Sequence, residues 1–194
     1  VMKTVACDVL VFGSGVGGFT VALKLRSQGR NVLMVEPASR FDGPSASSEG
    51  MPWVPANRAA SERGDTAEKA MQYLESEAGN RLNRERAEAF LANCNAAIEF
   101  LEANSPMRFT AQPAWSDYHP DSPGAAADLR GLLPEVFDGR RLGKRFAELM
   151  PPLRSMMLFG GMMVGREDLP HLFNIRSSPR SALYCARIFA RYLV

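Results

Sequence analysis

The chain has 194 residues and a mass of 21.3 kDa; 46% hydrophobic and 23% charged residues exclude a disordered or fibrous chain and leave one globular domain, or one domain with an elaborated insertion. Its 23 basic and 21 acidic side chains leave a net charge of +2, too small to recruit nucleic acid or an anionic membrane by bulk charge. No apolar run approaches the roughly 20 residues of a membrane span, and the start lacks the sections of a signal peptide. Cys7, Cys94 and Cys185 are odd in number and far apart, so a reduced, cytoplasmic chain is expected.

In chain order, Cys7 to Phe12 is a short apolar run of the kind that forms a strand covered on both faces. Gly13-Ser14-Gly15-Val16-Gly17-Gly18 follows at once, then a helix from Phe19 to Gln28 stopped by Gly29, then a second strand from Asn31 to Val35 with Glu36 at its end. Asp65-Thr66-Ala67-Glu68 has capping-box spacing before a helix reaching about Ala78. A longer helix runs from about Arg84 to Asn104, with Ala87, Phe90, Leu91, Cys94, Ala97, Ile98 and Leu101 in one apolar stripe that makes Cys94 a core residue. Prolines and glycines between Ser105 and Pro134 predict irregular chain, and Ser178-Pro179 starts a final helix that ends on Tyr192-Leu193-Val194. That helix is apolar where the chain stops, and the β-α-β unit lacks the further parallel strands of a doubly wound sheet. A second polypeptide is expected to complete the fold.

Gly-x-Gly-x-x-Gly between a strand and a helix, with an acid about 20 residues on, is the pattern of a dinucleotide site. Gly13 would make the tight turn, Gly15 would let the backbone approach a pyrophosphate, and Gly18 would permit close helix-to-strand packing, while Ser14 and Gly17 complete the loop. The first amides of the helix and its dipole favour phosphate. Glu36 would accept hydrogen bonds from ribose hydroxyls and repel a 2'-phosphate, which disfavours NADP and leaves FAD and NAD open. His119 and His171 stand alone, and no metal site is expected.

Phe41-Asp42-Gly43-Pro44-Ser45-Ala46-Ser47-Ser48-Glu49-Gly50 and Met51-Pro52-Trp53-Val54-Pro55-Ala56-Asn57 resemble the Gly-Gly-x-Ser/Thr-Ala-x-Ser-Gly-Gly and Trp-x-Pro-x-Asn stretch of the fumarate reductase type of FAD flavoproteins. The chain looks most like the 3-ketosteroid Δ1-dehydrogenase branch, to which Trp115 to Gly124 and Gly160 to Leu169 are also similar. The resemblance implies an α/β fold: a Rossmann-like FAD-binding β-α-β start in residues 1–60, a mostly helical and irregular insertion on the substrate side in 61–176, and a helix returning to the FAD domain in 177–194. It implies FAD as cofactor, held by Gly13, Ser14, Gly15, Gly17, Gly18, Glu36, Pro37, Ser45, Ala46, Ser48 and Gly50. It also implies dehydrogenation of a ketone-activated CH–CH bond in an apolar, steroid-like ketone. The sequence departs from the pattern at Asp42, Pro44 and Glu49, and Pro44 has no N–H to offer a phosphate. Tyr118 matches the tyrosine that assists the catalytic one; as a phenol near pKa 10 it needs neighbours that stabilise its anion. The alternative for Tyr118 is a loop tyrosine buried between Trp115 and Pro120. Two further readings are a fumarate-reductase-like reduction of an activated double bond and a non-catalytic dinucleotide-binding subunit.

Overall fold

The structure, a computed structural model, describes residues 4–48, 50–159 and 161–193. Strand β1 (Val9–Phe12) and strand β2 (Val32–Val35) pair in parallel, Val9 opposite Val32 and Phe12 opposite Val35, with helix α1 (Val16–Ser27) as the crossover between them. The helix begins three residues earlier than the sequence predicts, because the glycines at 17 and 18 fall inside its first turn. Gly29, at φ 79°, is the left-handed stop that was expected. The expected coverage of β1 on both faces is not found: Leu10 is 43% and Phe12 78% exposed, and α1 has no fully buried residue.

The apolar core lies in the middle of the chain. Helices α2 (Arg58–Ser61), α3 (Ala67–Ala78) and α4 (Arg84–Asn104) are capped by Asn57, Thr66 and Asn83, whose side-chain oxygens accept from the amides of Ala60, Lys69 and Arg86. Each such cap stabilises by about 1 kcal/mol. Thr66 is thus the cap of α3 in place of the capping box read from Asp65 and Glu68, and Asp65 turns inward. Buried residues Ala87, Cys94 and Leu101 of α4, seven apart, form the seam facing the core, where Cys94 meets Val54 and Leu132. Cys94 is core as expected, and burial pushes its thiol pKa up. Ala97, expected in the stripe, is exposed.

The stretch expected to be irregular contains an antiparallel pair, β3 (Phe109–Ala111) with β4 (Leu132–Pro134), and Phe109 and Ala111 pack on the same cluster. A second small pair joins β5 (Met157–Leu158) to β6 (Met162–Met163). Helix α5 (Leu169–Phe173) packs on the last helix, α6 (Pro179–Leu193), which opens on Pro179 with the Ser178 hydroxyl accepting from the Ser181 amide at 3.3 Å. Leu183 and Leu193 of α6 are 74% and 81% exposed, and Val194 lies outside the described residues. No helix among the described residues is long and apolar enough to cross a membrane.

Candidate functional site

The turn between β1 and α1 is built by backbone constraints that only glycine meets. Gly13 sits at φ 90°, and a Cβ on Gly18 would stand 2.1 Å from the Gly13 carbonyl oxygen. Gly15 is the N-cap of α1 and has no side chain to cap it. Ser45 performs that service from the next loop, its hydroxyl accepting from the Val16 amide at 3.0 Å. Gly15 and Ser45 are close enough that a Cβ on Gly15 would lie 3.6 Å from Ser45 Oγ. Beside them, Ser14 is fully buried; its amide and its hydroxyl both donate to Glu36 Oε2, at 2.8 and 2.6 Å. Glu36 Oε1 accepts from the Ala38 amide at 3.0 Å, across the exposed Pro37. The Ser14 hydroxyl, with the Ala38 and Ser14 amides, holds the Glu36 carboxyl below its ordinary pKa.

Ser14 also orders the following loop, because its hydroxyl accepts from the Asp42 amide at 2.9 Å. Asp42, the position where the family pattern has glycine, has φ 93°, and burial raises its carboxyl pKa. Gly43 follows at φ 50°, then one short 3-10 turn carries Pro44, Ser45, Ala46 and Ser47. The Ser48 hydroxyl closes the turn by donating to the Ser45 carbonyl and accepting from the amide of Gly50, itself at φ 70°. Glu49 lies outside the described residues. Glycine loop, Glu36 and serine loop are therefore one hydrogen-bonded body. Gly13, Ser14, Gly15, Glu36 and Ser45 come together, with Gly17 and Gly18 in the first turn of α1 and Pro37, Ala46, Ser48 and Gly50 at the margins. A cleft of about 280 Å³ opens beside it, lined by Glu36, Ala38, Ser39, Arg40, Phe41 and Glu148.

These residues fit a dinucleotide cofactor. Gly17 carries open space where a Cβ would be, and the amides of Gly15, Gly17 and Gly18 have no acceptor among the described residues. The Val16 amide, in contrast, is already taken by a hydroxyl, so the helix end presents amides and a serine together.

Tyr118 stands apart from this body. It is 92% exposed, which overturns the alternative of burial between Trp115 and Pro120, and no hydrogen bond or ring contact among the described residues joins it to the glycine loop. Its flanking residues are held firmly. Asp117 Oδ1 accepts from Trp53 Nε1 at 2.7 Å, and its Oδ2 accepts from Arg130 and from the Ala126 amide. Arg130, 1% exposed, reaches Asp117 through Nη1 and Asp65 through Nε and Nη2, each closest contact being 2.7 Å. Burial pushes the Asp65 carboxyl up, but hydrogen bonds from Arg130 and the Ala56 amide, with the guanidinium charge, outweigh it and leave the pKa below the ordinary value. Trp53 stacks on Phe90 at 6.0 Å and 10°, with the Arg130 guanidinium 5.5 Å from the Trp53 ring. The other invoked member of the Trp-x-Pro-x-Asn run, Asn57, is buried and donates to the Val54 and Leu129 carbonyls. That run and the Asp65–Arg130–Asp117 triad escaped sequence reading as one structural knot. The available signal was a single arginine set between Leu129 and Leu132.

Among the described residues no group of His, Cys, Asp or Glu is arranged to hold a metal; His171 stacks on Tyr184, and His119 pairs with Glu77. Gly160, at the start of one matching segment, lies outside the described residues; in the same segment Met162 is buried and Met163 exposed.

Residues 8–188 match the model of a family described as FAD binding domain. Among curated proteins, a 4-oxocyclohex-2-ene-1-carboxylate 5-dehydrogenase of Sinomonas cyclohexanicum is 36% identical over 97% of this chain and 32% of its own length. A 3-oxosteroid 1-dehydrogenase of Mycobacterium tuberculosis is 32% identical over 95% of this chain and 33% of its own. The crystal structure of 3-ketosteroid delta1-dehydrogenase from Sterolibacterium denitrificans, in complex with 1,4-androstadiene-3,17-dione, superposes with a TM-score of 0.81 at 28% identity, over 97% of this chain and 33% of that one. The chain thus spans about a third of the length of the relatives it matches. An amide-rich helix start, a carboxylate fixed at the end of the neighbouring strand and a family match along nearly the whole chain agree: the protein belongs to the FAD binding domain family of flavin oxidoreductases related to the 3-ketosteroid dehydrogenases, and its cofactor is FAD.

Proposed function

We propose that this chain carries the dinucleotide half of a dehydrogenase that introduces a carbon–carbon double bond beside a ring ketone. The observation that carries the reading is the Glu36–Ser14–Ser45 body on the first turn of α1. There Glu36 would accept from the ribose hydroxyls of FAD, the amides of Gly15, Gly17 and Gly18 would hold its diphosphate, and the hydroxyls of Ser45 and Ser48 would line the loop beside it. Pro37, Ala46 and Gly50 shape the walls. When bound, FAD supplies a two-electron acceptor: one ring carbon gives it a hydride and the adjacent carbon gives up a proton as the bond between them becomes double.

Tyr118 is the residue of this chain assigned to the proton side of that reaction. Its exposure suits a side chain that becomes part of a substrate wall once the rest of the active site is in place. Substrates are ring ketones, either an apolar 3-oxosteroid or a smaller oxo-substituted cyclohexane or cyclohexene ring that carries a carboxylate, the classes that the relatives' names supply. The remainder of the FAD and catalytic domains comes from a further polypeptide segment, supplied by a second chain, that covers Leu10, Phe12, Val16, Phe19 and Val21 and extends the two-stranded start into a Rossmann-like sheet. On this reading residues 1–60 begin the FAD domain, 61–176 form the substrate-side insertion, and 177–194 return to it. The three free cysteines suit a reducing compartment, the cytoplasm.

The test is anaerobic. FAD-loaded protein, complete with its partner segment, is mixed with 4-androstene-3,17-dione or with 4-oxocyclohexanecarboxylate, and the flavin absorbance is followed. Bleaching by either ketone supports the reading; a flavin that neither ketone reduces refutes it.

A further inference from the structure

We propose that α3 and the Asp65–Arg130–Asp117 triad form a rigid cradle whose purpose is to position Tyr118; this rests on the reading of Tyr118 given above. The loop from Asp117 to Ala126 is pinched at its base, where the Asp117 amide donates to the Ala126 carbonyl at 2.9 Å and the Ala126 amide donates to Asp117 Oδ2 at 2.9 Å. Inside the loop the Ser122 amide donates to the His119 carbonyl, and the Ala125 amide to the Ser122 carbonyl.

The loop is then fixed to α3 along the length of the helix. Next to the amino end, Asp65 holds Arg130, which holds Asp117. At the middle, Gly124 lies so near the helix backbone that a Cβ would stand 2.2 Å from the Lys69 carbonyl oxygen and 2.7 Å from the Tyr73 nitrogen. The His119 amide donates to the Tyr73 hydroxyl at 3.4 Å. Toward the carboxyl end, Glu77 receives the Ser122 hydroxyl at 2.7 Å and the His119 ring. Every neighbour of Tyr118 is therefore anchored, while Tyr118 itself projects outward at 92% exposure. A loop that only needed to cover α3 would turn its one large aromatic inward; this one fastens polar residues to the helix and leaves the phenol outside. Arg130, Asp117, Glu77 and Gly124 are positioning residues that act through the backbone of residue 118.

The experiment uses the FAD-loaded protein, complete with its partner segment, and two substitutions placed away from each other, Glu77→Gln and Gly124→Ala, each alone and combined with Tyr118→Phe. Flavin bleaching with whichever of the two ketones reduces the wild type gives a limiting rate and a half-saturation concentration. Hydrogen exchange of the segment around residues 117–126 reads the loop directly. The cradle predicts faster exchange in both variants, a limiting rate lower by roughly tenfold with half-saturation within about twofold, and no further loss in the Tyr118→Phe background. The inference is overturned if exchange quickens while the limiting rate holds, or if the loss is as large when Tyr118 is already phenylalanine. Because Glu77→Gln changes one partly exposed carboxylate, a folding failure of Gly124→Ala leaves the test intact. A Tyr118→Phe protein that bleaches at the wild-type rate overturns the assignment of Tyr118 itself, and the cradle's purpose with it.

Discussion

Replacing Arg130 by methionine keeps an apolar stem of similar length and removes the charge that reconciles two buried carboxylates. Asp65 and Asp117 have side chains only 8% and 2% exposed, so neither recovers water when the guanidinium goes. Asp65 keeps the Ala56 amide, and Asp117 keeps Trp53 Nε1 and the Ala126 amide. Breaking a buried pair from one side costs about 3–5 kcal/mol, which for a chain of this size lowers the thermal midpoint by roughly 10 °C. The pH dependence carries the stronger test. In the wild type the Asp65 pKa is lowered, so its contribution is present above the unfolded value near about 3.9 and is lost as the pH falls through the folded value. In the variant only backbone amides oppose burial, the folded pKa rises, and the penalty on the ionised form disappears as the pH falls. Chemical denaturation followed by circular dichroism from pH 7 to pH 4 should therefore show the deficit shrinking with acid. A deficit below about 1 kcal/mol, or one independent of pH over that range, refutes the idea that a buried ion triad holds this part of the fold.

Gly18→Ala places a methyl against the Gly13 backbone, which cannot yield as a side chain would, so stability should fall by about 1–3 kcal/mol and FAD affinity by at least tenfold. Gly17→Ala, whose Cβ meets nothing, should unfold no earlier than the wild type, and flavin fluorescence titration with urea melts compares the two. Glu36→Gln loses the charged acceptor of two Ser14 donors and should weaken FAD binding by about tenfold at pH 7 in the same titration. Asp42→Gly relieves a left-handed backbone and should raise the unfolding free energy by about 1 kcal/mol. Because burial raises the Asp42 pKa, the ionised form is penalised above that value, and the gain should be largest at neutral pH and smaller in acid.

The parts of the fold that could be read ahead of the structure are those whose determinants are local. The β1–α1–β2 unit is written in an apolar run, a glycine turn and a second apolar run. Helix α4 is announced by its stripe, and α6 by Ser178-Pro179. The pairing of β3 with β4 was not legible, since two three-residue strands carry too few residues for an alternation, and what joins them is contact with Cys94 and Val54 from elsewhere. The ion triad was hidden for the same reason: Asp65 reads as a helix cap until Arg130 arrives to claim it. Within the site, the residues named for the glycine loop and Glu36 come together, but the hydroxyl of Ser14, which ties Glu36 to Asp42, has no sequence signature beyond its place between two glycines.

The want of any fully buried residue in α1 has a consequence for how this protein meets its flavin. Until a further segment covers Val16, Phe19 and Val21, a crossover helix with so little inward anchorage opens and recloses locally at small cost, long before the α3–α4 region gives way. A ligand that grips only the closed form adds about 2.7 kcal/mol when present at a hundred times its dissociation constant. Protease nicking near α1 should therefore slow sharply once the protein turns yellow.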